Sequence, residues 1–266
     1  MFKISCIHPT CRPKLAKETR SKWLKLAKNP SKIEYITCYD SFDEEEIKLK
    51  VKKKNNLIEI YEPYSFGIVK KCNKAATFAK GDCIIVATDD TIQEKNWDEK
   101  VLKAADWSKE IVLNTRDGTE LADQRLYMVK TVILSKKRYQ KLGYVLHPEF
   151  AHVYCDNFHS WISHRDNVVI QRKDIFFEHL HPSIGKSKID KFYLEASTKK
   201  EYDKGENIFQ RLVKKNFNKN NEKELLERFK SEEDATEKYI AAFVLLTSGF
   251  NEKKLTDLLK TNSSIN

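Results

Sequence analysis

The chain has 266 residues, 40% of them hydrophobic and 11% aromatic, enough to bury a real core in one large domain or two small ones. With 7 Gly and 6 Pro, disorder, collagen-like repetition and a disulfide-stapled mini-domain are all excluded. The formal charge of +10 invites a polyanionic partner, whether nucleic acid, phosphate or anionic lipid. Residues 199–266 hold 14 basic and 12 acidic residues, so +8 of the excess belongs to residues 1–198. The lysine-rich tail is therefore nearly neutral and does not read as a basic arm.

In chain order, Lys3–His8 reads as a short buried strand, and Pro13–Lys28 as a helix with Leu15, Thr19, Trp23 and Leu26 along one face. Asn29-Pro30 stops that helix. A second strand over Ile33–Tyr39 ends at Asp40 and runs into the acidic stretch Asp43–Glu46, and a third apolar run, Leu57–Tyr61, ends at Pro63. A helix follows over 70–80, closed by Gly81. Cys83–Ala87 is continuously apolar and β-branched, the mark of a strand buried on both faces, and it stops at Thr88-Asp89-Asp90. A helix over 95–106 and a strand over Glu110–Asn114 complete an alternation that predicts an α/β fold, a mostly parallel sheet flanked by helices. Function in such a sheet sits at the carboxyl edge of the strands.

Beyond residue 120 the pattern changes. Tyr127–Leu134 is apolar, and Leu142–His181 is aromatic and loop-rich, carries six of the seven histidines and does not read as a second clean sheet. From about residue 199 the chain reads as helical, with Ile208, Leu212, Leu225, Leu226, Phe229, Tyr239, Phe243 and Leu246 as apolar positions. The expected organisation is a body over 1–198, divided at about residue 118, and a helical C-terminal extension over 199–266. Six cysteines with no CxxC pair, several inside apolar runs, read as reduced core thiols. The opening residues lack a charged segment followed by an apolar stretch, and the longest apolar run, Ile240–Leu246, is too short to span a bilayer. The expectation is a cytoplasmic protein, in the host cytoplasm if viral, with no membrane partner.

Polar groups gather at the strand ends: Thr10 and Arg12 after the first, Asp40 after the second, Asn73 and Lys74 near the helix before the fourth, Asp89 and Asp90 after the fourth. An adjacent carboxylate pair at the end of a buried strand is costly unless a cation neutralises it, and hard oxygen ligands favour Mg²⁺ or Mn²⁺ with a substrate phosphate completing the shell. The alternative is that Asp90 caps the turn before the next helix.

Residues 73–90, NKAATFAKGDCIIVATDD, resemble the segment of family 2-like glycosyltransferases of the GT-A fold in which an Asn, a helix, a Gly-acidic turn and an apolar strand lead to the metal-binding Asp-x-Asp. HPTCRPKL, residues 8–15, is similar to that family's first strand and donor loop. The resemblance covers roughly residues 3–195. It implies a GT-A-like, Rossmann-like fold, a nucleoside-diphosphate-sugar donor, most readily a UDP-sugar, and Mn²⁺ or Mg²⁺. Thr88 replaces the first acidic residue of the motif; Asp90 is the implied metal ligand with Asp89 assisting, and Asp40 falls where the family holds the nucleotide base. Thr10, Arg12, Asn73 and Lys74 are the implied donor contacts. The block LGYVLHPEFAHVYCDNFHSW resembles the acceptor side and makes Asp156 the expected general base, for an inverting transfer; a helix cap is its alternative role.

His179 and His181, at alternating spacing, would turn to one side of a strand, and one of them would close the metal shell. His152, Asp190, Asp203, Arg116, Asp117, Arg165 and Lys173 are weaker candidates for acceptor or phosphate contact. With the positive body, the acceptor expected is a hydroxymethylated base in DNA, as for the DNA-glycosylating enzymes of some bacteriophages; a glycan or protein hydroxyl is the alternative. A sugar-nucleotide-forming nucleotidyltransferase would need a Gly-rich loop after the first strand, which HPTCRPK lacks. A metal-dependent nuclease would want a Lys close after Asp90, where Thr-Ile-Gln stands. A non-catalytic nucleic-acid-binding module would carry a recognisable motif, and none is visible.

Overall fold

The computed structural model describes residues 3–41, 43–119 and 125–263. Its strands are β1 (Ile4–Thr10), β2 (Ile33–Ser41), β3 (Val51–Lys54), β4 (Leu57–Pro63), β5 (Cys83–Val86), β6 (Thr91–Gln93), β7 (Val112–Arg116), β8 (Ile133–Ser135) and β9 (Val169–His179). They form one sheet in the order β3-β4-β2-β1-β5-β8-β7-β9-β6. β1, β2, β4 and β5 are parallel, β8 runs against both β5 and β7, and β9 lies parallel to β7. Six strands therefore share one direction, and their carboxyl ends meet along one edge. β3, β6 and β8 run the other way.

Helices α1 (Pro13–Leu26), α2 (Glu44–Leu49), α3 (Val69–Ala76), α4 (Trp97–Lys103), α5 (Lys136–Leu142) and α6 (Cys155–Arg165) connect and cover the strands. α7 (Lys191–Ala196), α8 (Lys199–Asn216), α9 (Lys219–Ser231), α10 (Ala235–Thr247) and α11 (Glu252–Ser263) follow. Because successive side chains on a strand point to opposite faces, the apolar runs of β1, β2 and β5 supply two cores. Ile4, Cys6, Tyr35, Cys83 and Ile85 pack with Trp23 and Trp97 on one face. Ile7, Ile36, Cys38, Ile84 and Val86 pack on the other with α3, α6 and the C-terminal helices, through Phe209, Leu212, Leu225, Phe229 and Val244. The C-terminal helices thus share a core with the sheet.

The predicted elements hold with three physical corrections. The helix expected over 70–80 ends at Ala76, and the chain turns so that Gly81 lies against β1; a Cβ there would sit 2.7 Å from the Ile4 and Ser5 backbone. The acidic stretch at 43–46 opens α2, and Val51–Lys54 pairs antiparallel with β4 as an edge strand whose lysines protect it from further pairing. The aromatic region 142–181 is more regular than its composition suggests, holding α6 and the 11-residue β9.

α6 carries two buried histidines. Burial, with the charge of Arg138 nearby, pushes His159 down to about 3. Burial also brings His164 down to about 4, against the hydrogen bond that its Nε2 donates to the Tyr127 carbonyl, 2.7 Å long. Both are neutral in the fold and titrate near 6.5 when unfolded. The unfolded chain therefore binds more protons between these values, so stability present above pH 6.5 is lost as pH falls towards 4. Replacing His159 by Gln is expected to make the loss of folding free energy between pH 6 and pH 4.5 shallower by about 1.4 kcal/mol per pH unit. Denaturant titrations across that range measure it, and identical slopes would contradict the assignment.

Candidate active site

A cavity of about 530 Å³ opens at the carboxyl edge of the sheet. Thr10, Arg12, Asp40, Asp89, Asp90, Asp156, His179 and His181 all line it, as do Asp117 and His152. These residues are far apart in sequence; the parallel strands bring Thr10, Asp40, Asp89, Asp90 and His179 to one edge, and α6 with the segment before it adds Asp156 and His152.

The turn after β5 is the centre of the arrangement. The Asp89 side chain is 6% exposed and accepts hydrogen bonds from Thr10 Oγ1 at 2.9–3.0 Å and from Arg12 Nη1 at 3.3 Å, and its Oδ1 lies 2.9 Å from His8 Nε2. Its backbone carbonyl accepts from Thr19 Oγ1 of α1 at 2.9 Å. Three side-chain donors thus share two oxygens that offer about four acceptor sites between them. Asp89 thus organises the site from within, while its neighbour Asp90 faces the cavity.

Asp90 Oδ2 lies 3.3 Å from His179 Nε2, with the Asp90 side chain 37% exposed. Burial works to raise the Asp90 carboxyl, but the hydrogen bond and charge of His179, helped by Thr88, hold it down to about 2. His179 is burdened by burial and is nonetheless raised by the same pairing. The backbone joins the two segments as well, Leu180 N–H donating to the Asp90 carbonyl at 2.8 Å. The His181 ring stands 5.0 Å from that of His179 and 5.6 Å from that of Tyr193. Among the described residues no group of three or more Asp, Glu, His or Cys side chains is arranged to hold a metal ion. Asp90 and His179 offer one hard oxygen and one imidazole, a partial set that suits a cation whose shell a diphosphate and water complete.

Asp40, at the end of β2, accepts from Lys71 Nζ at 2.8 Å and from Ser65 N–H at 3.1 Å; the Lys71 and Asp40 side chains are 4% and 1% exposed. Arg12, besides reaching Asp89, holds Asp190 through Nε at 2.8 Å and Nη2 at 2.7 Å, and stacks on Phe192. Asp190 in turn caps α7 by accepting from Tyr193 N–H. Arg12 thereby ties α7 against the cavity.

Asp156 sits in the first turn of α6, where the helix dipole favours a carboxylate, and its Oδ1 accepts from Asn157 N–H at 2.9 Å. The N-cap is Tyr154, at φ 67, so Asp156 lies two residues inside the cap position. His152, beside it, is pushed down by burial, and its Nδ1 has no hydrogen-bond partner among the described residues. Two glycines seat this loop. A Cβ on Gly67, at φ +81, would fall 2.0 Å from the Ala151 carbonyl oxygen, and one on Gly205 of α8 would fall 2.9 Å from that of Val153. Ile68 and Val69 N–H groups both donate to the Ala151 carbonyl.

Asn73 and Lys74 are not brought to the cavity. The Asn73 amide is consumed by the backbone of Val145 and Leu146, and Lys74 pairs with Glu62. Asp203 pairs with Lys199 on the surface, Arg165 with Asp166 and the Asn216 carbonyl, Lys173 with Asn114, and Arg116 lies over Phe176. Residues that the sequence did not single out include His8, Lys71, Arg125, Lys130 and the α7 aromatics. For His8 a signal existed: it continues the buried stripe Ile4–Cys6 on one face of β1, where an imidazole requires polar partners. For the others, in charged or irregular segments, there was none.

The family model described as Glycosyl transferase family 2 matches residues 22–174. No protein of curated function is similar in sequence. Among solved structures, S. aureus TarS 1-349 in complex with UDP-GlcNAc is similar with a TM-score of 0.61 at 15% identity, over 92% of this chain and 80% of that one. S. aureus TarS is similar with a TM-score of 0.55 at 17% identity, over 97% of this chain and 50% of that one. The mannosyltransferase PcManGT from Pyrobaculum calidifontis, in complex with GDP-Man and Mn²⁺, is similar with a TM-score of 0.52 at 11% identity, over 92% and 86%. These likenesses bear on the fold.

The packing of the 151–156 loop makes a prediction of its own. Gly67→Ala must displace the Ala151 carbonyl and adopt a left-handed backbone, so it is expected to destabilise by roughly 1–3 kcal/mol. A melting curve of Gly67→Ala indistinguishable from the native one would show that the loop is not held as described.

Proposed function

The chain belongs to glycosyl transferase family 2 and is a glycosyltransferase; from that premise we propose that it transfers a sugar from a nucleoside-diphosphate donor to an acceptor hydroxyl in the cavity at the carboxyl edge of the sheet. The observation that carries this reading is the convergence of Asp40, Thr10, Arg12, Asp90, His179 and Asp156 on one cavity. The UDP-GlcNAc and GDP-Man in the two similar structures support a sugar nucleotide as donor, with a UDP-sugar preferred. The Mn²⁺ beside GDP-Man supports a divalent cation.

In this reading Asp40, held by Lys71, meets the nucleobase at one end of the cavity, and Arg12 reaches the diphosphate. Asp90 and His179 would hold Mn²⁺ or Mg²⁺, which, when bound, neutralises charge on the departing nucleoside diphosphate. Asp156 orients the acceptor hydroxyl and takes its proton as the sugar carbon is attacked from the face opposite the leaving group, inverting the anomeric centre. Asp89, held by His8, Thr10 and Arg12, assists Asp90 through the shape of the turn.

The acceptor we propose is a hydroxymethylated base in DNA. The +8 charge of residues 1–198 supports a polyanion. Tyr64, Phe192, Tyr193 and Tyr202 in the cavity wall support stacking of an extruded base. Among the described residues no helix is long and apolar enough to cross a membrane, and a cytoplasmic site of action suits such an acceptor.

A panel of sugar nucleotides incubated with Mn²⁺ is expected to release nucleoside diphosphate, with Asp90→Ala reducing the rate by about 100-fold or more; no release from any donor would remove the proposal. Asp156→Asn is expected to lower transfer by roughly 100- to 10,000-fold while donor affinity stays near native, and an unaffected rate would place the base elsewhere. Duplex DNA is expected to bind with an affinity that falls steeply with salt; absent or salt-independent binding turns the acceptor assignment to a glycan or protein hydroxyl.

A further inference from the structure

Two buried polar side chains on the far side of Asp89 take no part in lining the cavity. His8, on β1, is 0% exposed, and Tyr35, on β2, is also 0% exposed. They stand in the face of the sheet packed by Trp23, whose ring meets that of Tyr35 edge-on at 6.3 Å. Tyr35 Oη lies 2.8 Å from His8 Nδ1, and His8 Nε2 lies 2.9 Å from Asp89 Oδ1. Polar groups are retained in such a setting only when each is satisfied.

The direction of the two bonds follows from the groups themselves. A carboxylate only accepts, so the hydrogen between His8 and Asp89 is carried by His8 Nε2. Nδ1 then accepts from the Tyr35 hydroxyl, which burial keeps protonated by pushing the phenol well above its ordinary value. A directed chain runs from the interior of the sheet to the turn that presents Asp90.

Asp89 has two other side-chain donors, Thr10 and Arg12, and both line the cavity. Arg12 is already divided between Asp89 and Asp190, and a bound diphosphate competes for the same guanidinium. His8 faces away from any ligand, so its hold on Asp89 persists whatever occupies the site. We propose that Tyr35 and His8 are positioning residues for donor binding: acting through Asp89, they hold the Thr88–Asp90 turn in the conformation that turns Asp90 into the cavity before the donor arrives. This rests on the donor-site reading above.

The test combines one spectroscopic and one thermodynamic measurement on the full chain. In ¹⁵N-histidine NMR, His8 is expected as the Nε2–H tautomer; an Nδ1–H tautomer overturns the relay. UDP binding in the presence of Mn²⁺, by calorimetry, is read for native protein, Tyr35→Phe, His8→Asn and His8→Gln. A Gln side chain can place its amide N–H near the position of Nε2, whereas Asn cannot reach Asp89. His8→Asn is therefore expected to weaken UDP about 10-fold, Tyr35→Phe about threefold, and His8→Gln less than about threefold, as befits a hydrogen bond to a charged group.

Val101→Ala, a cavity in the same core, lowers the melting temperature and is expected to leave UDP affinity unchanged, which separates positioning from general loosening. Should His8→Asn not fold, the near-isosteric Tyr35→Phe carries the comparison. UDP affinity unchanged in folded His8→Asn or Tyr35→Phe, or His8→Gln as weak as His8→Asn, overturns this inference alone. Native protein that binds no nucleoside diphosphate with Mn²⁺ overturns the donor-site reading and this inference with it.

Discussion

The site depends on one buried carboxylate. Asp89 draws together the end of β1 through His8 and Thr10, the start of α1 through Arg12, and the middle of α1 through Thr19. An ionised carboxylate taken out of water is costly unless several donors replace the solvent. Here the carboxylate's donors come from β1 and the start of α1, 77 to 81 residues away in the chain. The cost of leaving Asp89 unsatisfied therefore acts as a constraint on how the first and fifth strands of the sheet and the first helix meet. Asp90, next in sequence, inherits its direction from that constraint.

A second constraint comes from outside the sheet. The loop carrying His152 and Asp156 is seated between Gly67, ahead of α3, and Gly205, in α8, at separations that leave no room for a Cβ. Tyr154, at φ 67 on this loop, packs its ring near those of Tyr202 and Phe209 of α8. The C-terminal helices are thus a buttress for the segment that carries His152 and Asp156. Their shared core with the sheet means that the site is built by both parts of the chain. A strained backbone of this kind persists because its surroundings over-determine it.

Much of this was legible in the sequence where the signal was local. The unbroken apolar run Cys83–Ala87 announced a doubly buried strand, and the polar residues just past each parallel strand announced the edge where they converge. Asp90 and one of His179 and His181 were expected to meet at one centre, and His179 lies 3.3 Å from Asp90. What was not legible depends on side-chain direction across non-local contacts. Asn73 and Lys74 lie in α3, the helix before β5, which turns them towards the 145–146 backbone and Glu62 rather than the cavity. Asp89 and Asp90 are chemically identical, and only the donors arriving from β1 and α1 distinguish Asp89, which they hold, from Asp90, which pairs with His179. Lys71 resembles its solvated neighbours Lys70 and Lys74 until α3 is docked, when it alone is buried against Asp40.

The central claim is that the carboxyl edge, organised around Asp89, receives a nucleoside-diphosphate sugar. Hydrogen–deuterium exchange with and without a UDP-sugar and Mn²⁺ tests it most directly, because it maps where the ligand acts without presuming an acceptor. The account predicts slower exchange in peptides covering residues 9–12, 64–71 and 88–91, and unchanged exchange in α9 and α11. Protection confined to other parts of the chain, or none at saturating ligand, would contradict it.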